Sequence, residues 1–195
     1  MAVPPPRSDD KQALRRVLRE ARRRFVASLD PHAYQAALAA IDTRLSPLLR
    51  RAGPIAGYVA LRGEADPLPF LMRAWHAGRD VALPHIAERG TERDMVFARW
   101  SPATMLTPGH AGIPQPDADD VIQPAIVLAP LVGFDRGGAR LGQGGGFYDR
   151  WFAAHPAAMR IGIAWSVQEL PSLACDAWDV PLHAIVTEQE WIEPR

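Results

Sequence analysis

Ala125-Ile126-Val127-Leu128-Ala129-Pro130-Leu131-Val132-Gly133-Phe134-Asp135-Arg136-Gly137-Gly138-Ala139-Arg140-Leu141-Gly142-Gln143-Gly144-Gly145-Gly146-Phe147-Tyr148-Asp149-Arg150 is the stretch that decides the fold. Its opening, Ala125 to Leu128, is apolar at consecutive positions, the pattern of a strand buried on both faces. Gly133 to Gly146 is rich in glycine and has neither a helical nor a strand period, and Phe147 to Ala154 can form a helix. A strand feeding a glycine-rich loop that opens a helix brings bare backbone N–H groups to the positive helix end, where a phosphate is bound well. Arg140 would add a charged donor. No Gly-Lys-Ser/Thr follows, and Phe147 stands where the last glycine of a dinucleotide fingerprint would be, so neither standard nucleotide motif is present. Read as backbone alone, the same glycines could simply turn the chain tightly.

Working outward, the rest of the chain alternates helical and strand patterns. Residues 9 to 28 place Leu14, Val17, Leu18, Ala21 and Phe25 at helical spacing with arginines on the other faces. Asp30-Pro31 reads as an N-cap with proline at the first helical position, and Leu38, Ile41, Leu45 and Leu48 continue a second stripe that Pro47 kinks or ends. Ile55 to Leu61 reads as a strand, 67 to 77 as a helix capped by Asp66 and closed by Gly78, and Val81 to Pro84 as a strand. Met95 to Trp100 reads as a further strand, and Thr104 to Asp120, rich in Pro, Gly and Asp, as a surface loop. Arg160 to Trp165 and Ala184 to Thr187 complete the strands. The alternation predicts an α/β fold, a mainly parallel sheet covered by helices, in one domain over residues 1–195 with a flexible tail at 1–8.

The chain has 195 residues, 48% hydrophobic and 23% charged, which disfavours disorder. The longest weakly polar run, Pro124 to Phe134, falls far short of the roughly 20 residues of a spanning helix. The start has no apolar signal core and Cys175 is the single cysteine, which together predict a reducing cytoplasm. Between Arg7 and Arg24 eight basic residues face Asp9, Asp10 and Glu20, an excess of +5; with a net charge of zero, the rest carries −5. The first helix should therefore meet an anion or an acidic face of its own fold. Zero net charge and the lack of any RNA or DNA motif argue against a nucleic-acid-binding module. Lys11 is the only lysine beside 21 arginines, so it draws attention as a compact ammonium.

Ala129 to Asp135 followed by Arg140 to Arg150 resembles the signature of the 5-formyltetrahydrofolate cyclo-ligase, or methenyltetrahydrofolate synthetase, family. There a strand ending in Pro-Gly/Leu-x-x-Phe-Asp precedes Arg-Leu-Gly-x-Gly-x-Gly-Tyr-Tyr-Asp-Arg. Lys11-Gln12-Ala13-Leu14-Arg15 is similar to the family's Lys-x-x-Leu-Arg opening, and Glu64 follows the first strand as the family's substrate glutamate does. Gly112-Ile113-Pro114-Gln115-Pro116 resembles its Gly-Ile-x-Glu-Pro loop, and Trp178-Asp179-Val180-Pro181-Leu182 its late His-Asp-x-x-x-Asp segment.

The resemblance implies a three-layer architecture shared with sugar-phosphate isomerases and CoA transferases. It implies an ATP- and Mg²⁺-dependent ring closure of 5-formyltetrahydrofolate to 5,10-methenyltetrahydrofolate; a monomer or homodimer that needs neither nucleic acid nor membrane is expected. Lys11, Arg15 and Arg140 would hold phosphates, and Leu141, Gly142, Gln143, Gly144, Gly145, Gly146, Phe147 and Tyr148 would form the ATP cradle. Arg140 and Tyr148 would be catalytic. Glu64, Gly144, Gly145, Gly146 and Phe147 would meet the folate, and Asp149 and Asp179 the Mg²⁺. Another enzyme of the same wider fold is the alternative, since a fold does not fix a function.

Each residue also has a plainer reading. Lys11 and Arg15 would equally suit a solvated helix face, Asp149 a first-turn carboxylate favoured by the dipole, Asp179 a turn cap and Glu64 an ordinary loop acid. The sequence departs from the family pattern at Phe147, which lacks the first tyrosine's phenol, at Gln115 for glutamate, at Trp178 for histidine and at His183 for a second aspartate.

Overall fold

The computed structural model describes residues 8–89 and 92–194. Helices α1 (Ser8–Ser28) and α2 (Pro31–Leu45) open the chain. Asp30 caps α2 by accepting from Ala33 N at 2.8 Å, and proline occupies the first turn, where its missing N–H costs nothing. The 3₁₀ turn Ser46–Arg50 follows, with Pro47 unable to extend the α-helical ladder. Next come β1 (Ile55–Ala56), α3 (Leu68–His76), β2 (Val81–Arg89), β3 (Glu92–Trp100), β4 (Thr107–Pro108) and β5 (Pro114–Gln115). The rest is β6 (Ile126–Pro130), β7 (Gly133–Phe134), β8 (Arg140–Leu141), α4 (Phe147–Ala154), β9 (Met159–Ile163), β10 (Ala184–Val186) and β11 (Trp191–Ile192).

Seven strands form one sheet in the order β11-β10-β9-β6-β1-β2-β3. All neighbours from β10 to β2 run parallel, and the outer pairs β2–β3 and β10–β11 are antiparallel. Because successive strand residues face opposite sides, the sheet sorts its side chains into two cores. Ile55, Val81, Leu83, Ile126, Leu128, Ile161 and Ile163 pack with Leu38, Ile41 and Leu45 of α2 and Phe70 and Leu71 of α3. Ala56, Ala82, Val127 and Ala129 pack with Trp151 and Phe152 of α4 on the other face. These small residues leave room for two large aromatics. At eight residues α4 is too short to persist alone, and burying Trp151 and Phe152, about 2–3 kcal/mol each, offsets that. The result is three layers.

The connection after β1 runs through α3 to β2 on one side, whereas β6 lies on the other side of β1 and leads through α4 to β9. The direction of winding therefore reverses between β1 and β6, and ligands of open α/β sheets bind at the carboxyl ends of strands at such a reversal. Helix α1 lies over the loops there: Leu18 packs with Val132 and Leu141, and the Phe25 ring sits 5.5 Å from Trp165.

Several expectations need correction. Val17 is 61% exposed, whereas Arg22 is 5% exposed, so the buried face of α1 is not purely apolar. The strand expected over 55 to 61 ends at Ala56, after which Gly57 N still donates to Ala82 O at 3.0 Å before the chain leaves the sheet toward Glu64, and the strand at 81 extends through a long hairpin with β3. Gly133 to Gly146 is not wholly irregular: Gly133–Phe134 pairs with Arg140–Leu141. Thr104 to Asp120 contains the small β4–β5 hairpin. The short edge strand β11 has no period to read from two residues. The tail expected at 1–8 lies outside the described residues except for Ser8, which begins α1.

Candidate functional site

At the β1/β6 reversal a cavity of about 820 Å³ opens. Its wall includes Lys11 and Arg15 of α1, Glu64 after β1, Arg140 to Asp149, and Asp176 and Asp179 of the loop before β10. Every site residue expected from the sequence is on it. A smaller depression of about 450 Å³ lies at the amino end of β2, but its Arg99 is already paired with Asp80 and Asp120.

The glycine-rich loop is built on the β7–β8 hairpin. Asp135 is buried with both oxygens engaged: Oδ1 accepts from Gly137 N at 3.0 Å and Ala139 N at 3.1 Å, and Oδ2 from Leu173 N at 2.7 Å. This aspartate organises the turn. Beyond the hairpin, Arg15 Nε donates to Gly142 O at 2.8 Å, bracing the cradle from α1. Gly144 at φ 108° and Gly146 at φ 64° adopt backbone conformations that disfavour other residues, and Gly146 caps α4 with no side chain. The first amides of α4 therefore carry no side-chain cap and face the cavity end of the helix.

Arg140 is the most buried charge of the cradle, its side chain 4% exposed. Its Nη2 donates to Asp149 Oδ1 at 2.8 Å, its Cζ lies 5.4 Å from the Phe152 ring centre, and its Nε has no partner among the described residues. Burial pulls this guanidinium below its ordinary pKa, and Asp149 acts against the shift. Asp149 Oδ1 also accepts from Val180 N at 3.2 Å, which ties α4 to the loop carrying Asp179. Lys11 Nζ donates to Asp176 Oδ2 at 2.6 Å and Asp179 Oδ2 at 3.2 Å. Burial works against the ammonium, but these two carboxylates outweigh it and raise the Lys11 pKa. The excess charge of α1 thus meets acids of its own fold at the rim of the same cavity.

At the other end, Leu61 N donates to Glu64 Oε2 at 3.0 Å, so the loop closes on its own acid. Trp165 Nε1 donates to Gly63 O at 2.9 Å and the Tyr58 hydroxyl to Ala65 O at 2.5 Å, which pins the loop from both sides. Glu64 Oε1 accepts from Gln143 Nε2 at 3.2 Å and from Arg22 Nη1 at 3.1 Å. Tyr148 also lines this region; its hydroxyl is buried without a partner among the described residues, and burial followed by the charge of Glu64 pushes the phenol far up. It cannot readily act as a phenolate.

The departures from the family pattern have structural answers. Gln115 accepts from Ile86 N at 3.0 Å and its amide nitrogen lies 3.4 Å from Ile86 O, two contacts that a carboxylate could not both make; the roof residues His110 to Ile113 hang from this hairpin. Phe147 meets the His110 ring at 5.4 Å, joining roof to cradle. Trp178, 71% exposed, stands at the mouth, whereas His183 is off the cavity wall with Arg160 N donating to its Nδ1 at 3.0 Å. Sequence reading missed Arg22 and Asp176. The signal for Arg22 was present, because Lys11, Arg15, Leu18, Arg22 and Phe25 recur at steps of four and three, one face of a helix.

The family model for 5-formyltetrahydrofolate cyclo-ligases matches residues 7–188. The 5-formyltetrahydrofolate cyclo-ligase of Escherichia coli K12 is 33% identical over 155 residues, which cover 74% of this chain and 85% of that protein. The structure of Aquifex aeolicus 5,10-methenyltetrahydrofolate synthetase superposes with a TM-score of 0.77 at 27% identity, covering 95% of this chain and 93% of that one. That of a 5,10-methenyltetrahydrofolate synthetase from Mycoplasma pneumoniae has a TM-score of 0.67 at 22% identity, covering 92% and 99%, a likeness of fold.

Proposed function

This chain belongs to the 5-formyltetrahydrofolate cyclo-ligase family, and on that footing we propose that it closes 5-formyltetrahydrofolate to 5,10-methenyltetrahydrofolate at the expense of ATP. One observation carries the reading: Lys11, Arg15 and Arg140, the glycine cradle and Glu64, far apart in sequence, line one cavity at the reversal point of the sheet. In the proposed reaction the formyl oxygen displaces ADP from the γ-phosphorus. N10 then adds to the activated carbon and gives up its proton, and phosphate leaves with the C–O bonding pair.

Phosphoryl transfer asks the protein mainly for positioning and for neutralisation of charge. Residues 141–148 would hold the phosphates through backbone N–H groups, with Lys11, Arg15 and Arg140 supplying cations. Arg140 is desolvated, its side chain 4% exposed, so its charge would act at a low local dielectric on transferring oxygens brought to it. At the folate end Glu64, with Gly144, Gly145, Gly146 and Phe147 beside it, would accept from an N–H donor of the pterin ring.

Mg²⁺ prefers hard oxygen donors and keeps several waters. Asp149 Oδ2, Asp176 Oδ1 and Asp179 Oδ1 accept no hydrogen bond among the described residues, so the donor set fits such an ion. Among the described residues no three of His, Cys, Asp or Glu stand close enough to hold an ion by themselves, so phosphate oxygens and waters would have to complete its shell. Asp149 and Asp179 would hold it, and it would supply further neutralisation of phosphate charge. No described helix is long and apolar enough to cross a membrane. The reading takes the enzyme to be cytoplasmic, a monomer or homodimer, and independent of nucleic acid.

The test is incubation with 5-formyltetrahydrofolate while methenyl absorbance is followed. Product is expected only when ATP and Mg²⁺ are both supplied, and turnover without nucleotide would sink the assignment. Tyr148→Phe gives a finer check. Removing a buried hydroxyl that has no protein partner should leave the thermal midpoint unchanged or slightly higher. If that hydroxyl donates to substrate, kcat/KM for folate should nevertheless fall about tenfold, the value of one hydrogen bond near 1.4 kcal/mol. Unchanged kinetics would remove Tyr148 from the catalytic set.

A further inference from the structure

Glu64 and Arg22 form an ion pair whose side chains are 5% and 6% exposed, respectively, with Arg22 Nη1 3.1 Å from Glu64 Oε1. Such a pair costs much desolvation, and apolar residues of similar volume are often as good for folding. Here the cost is larger still, because Arg22 Nε is buried and has no partner among the described residues. Methionine at this place on α1, with an uncharged residue at 64, would fill similar space and strand neither a donor nor a charge. Stability alone therefore does not account for the arginine.

Arg22 is absent from the cavity wall, whereas Glu64 is on it. Glu64 receives Arg22 and Gln143 on Oε1 and Leu61 N on Oε2, so three of the roughly four lone-pair sites of a carboxylate are taken by protein donors. The acceptor capacity left over belongs to Oε2. A carboxylate held from three directions by α1, by the cradle and by its own loop cannot rotate freely, so the remaining lone pair has a defined direction before any ligand arrives. Arg22 shares its face of α1 with Lys11, 11 residues or about 16 Å away along the axis. One rigid helix thus sets the span between the phosphate end and the folate end.

We infer that Arg22 is the positioning residue of the folate end, holding the Glu64 carboxylate aimed at the ligand without touching the ligand itself. The inference rests on the reading of Glu64 as the folate-contacting acid. It makes folate affinity depend on Arg22 only through Glu64.

The experiment measures 5-formyltetrahydrofolate affinity by calorimetry without nucleotide, and the Michaelis constants of both substrates, for Arg22→Met, Glu64→Gln, their double variant and Arg22→Lys. Glu64→Gln and Arg22→Met are each expected to weaken folate by about tenfold or more while the ATP constant stays within about twofold. The double variant should bind folate no more weakly than Glu64→Gln alone, and Arg22→Lys, which keeps a cation, should recover part of the loss. Should Arg22→Met fail to fold because it strands a buried carboxylate, the double variant has no such charge, and its comparison with Glu64→Gln still decides. Effects that multiply in the double variant, or folded Arg22→Met with wild-type folate affinity, would overturn the positioning role and leave Glu64 standing. Wild-type affinity in Glu64→Gln would instead remove the Glu64 reading, and the role of Arg22 with it.

Discussion

Replacing Arg140 by methionine is expected to lower kcat by about 10³-fold, the scale on which a transition-state arginine acts in phosphoryl transfer. The guanidinium is buried against Phe152, pairs with Asp149 and keeps Nε unpartnered among the described residues. A desolvated cation of this kind has no water to compete with developing charge on the transferring oxygens. The same substitution leaves Asp149 without its partner, and breaking a buried pair costs about 3–5 kcal/mol, somewhat less here because Asp149 is 18% exposed. The thermal midpoint should therefore fall as well, and the two effects must be separated. Arg140→Met/Asp149→Asn removes both charges and should recover most of the midpoint, while its kcat stays far below that of Asp149→Asn alone, the reference needed because Asp149 is also a proposed Mg²⁺ ligand. A double-variant kcat within about tenfold of that of Asp149→Asn would make Arg140 a structural partner of Asp149 only.

Lys11→Ala is expected to lower kcat/KM for ATP by about 100-fold, more than the loss of one surface cation would explain. Lys11 Nζ bridges Asp176 and Asp179, so its removal deletes a positive charge and leaves two uncompensated carboxylates on the cavity wall where the proposed function puts the phosphates. Repulsion is added to lost attraction. Lys11→Arg keeps the charge but replaces a compact ammonium by a broad planar fork, so a smaller rise in the ATP constant is expected with little change in midpoint. Raising Mg²⁺ should restore part of the Lys11→Ala loss, since the freed carboxylates are hard-cation ligands. ATP kinetics unaltered in both variants would return Lys11 to the role of a rim ion pair.

Much of the site was legible because its chemistry is local. The strand Ile126–Pro130, the glycine loop and helix Phe147–Ala154 follow one another in the chain, and each needs only its own period or its own glycines to be recognised. Glu64 and Asp179 were legible only as members of a resembling pattern, since a lone acid in a loop carries no spacing of its own, whereas Lys11 and Arg15, four apart on α1, read equally well as a solvated helix face. Arg22 was hidden by its residue type. An arginine on a basic helix is assigned to solvent by default, and only a buried acid 42 positions away draws it inward.

By itself the sequence determined the elements that local physics governs: the Asp30-Pro31 helix start, the short α4 behind its glycine cap, the doubly buried β6, and the small residues that admit Trp151 and Phe152. What only the tertiary structure decided is who partners whom. The reversal between β1 and β6 brings the Glu64 loop beside the glycine loop, and α1 packed across both sets Arg22 on Glu64, Arg15 on Gly142 and Lys11 on Asp176 and Asp179. Those choices depend on strand order and helix placement, which arise from burying two cores at once and leave no period along the chain.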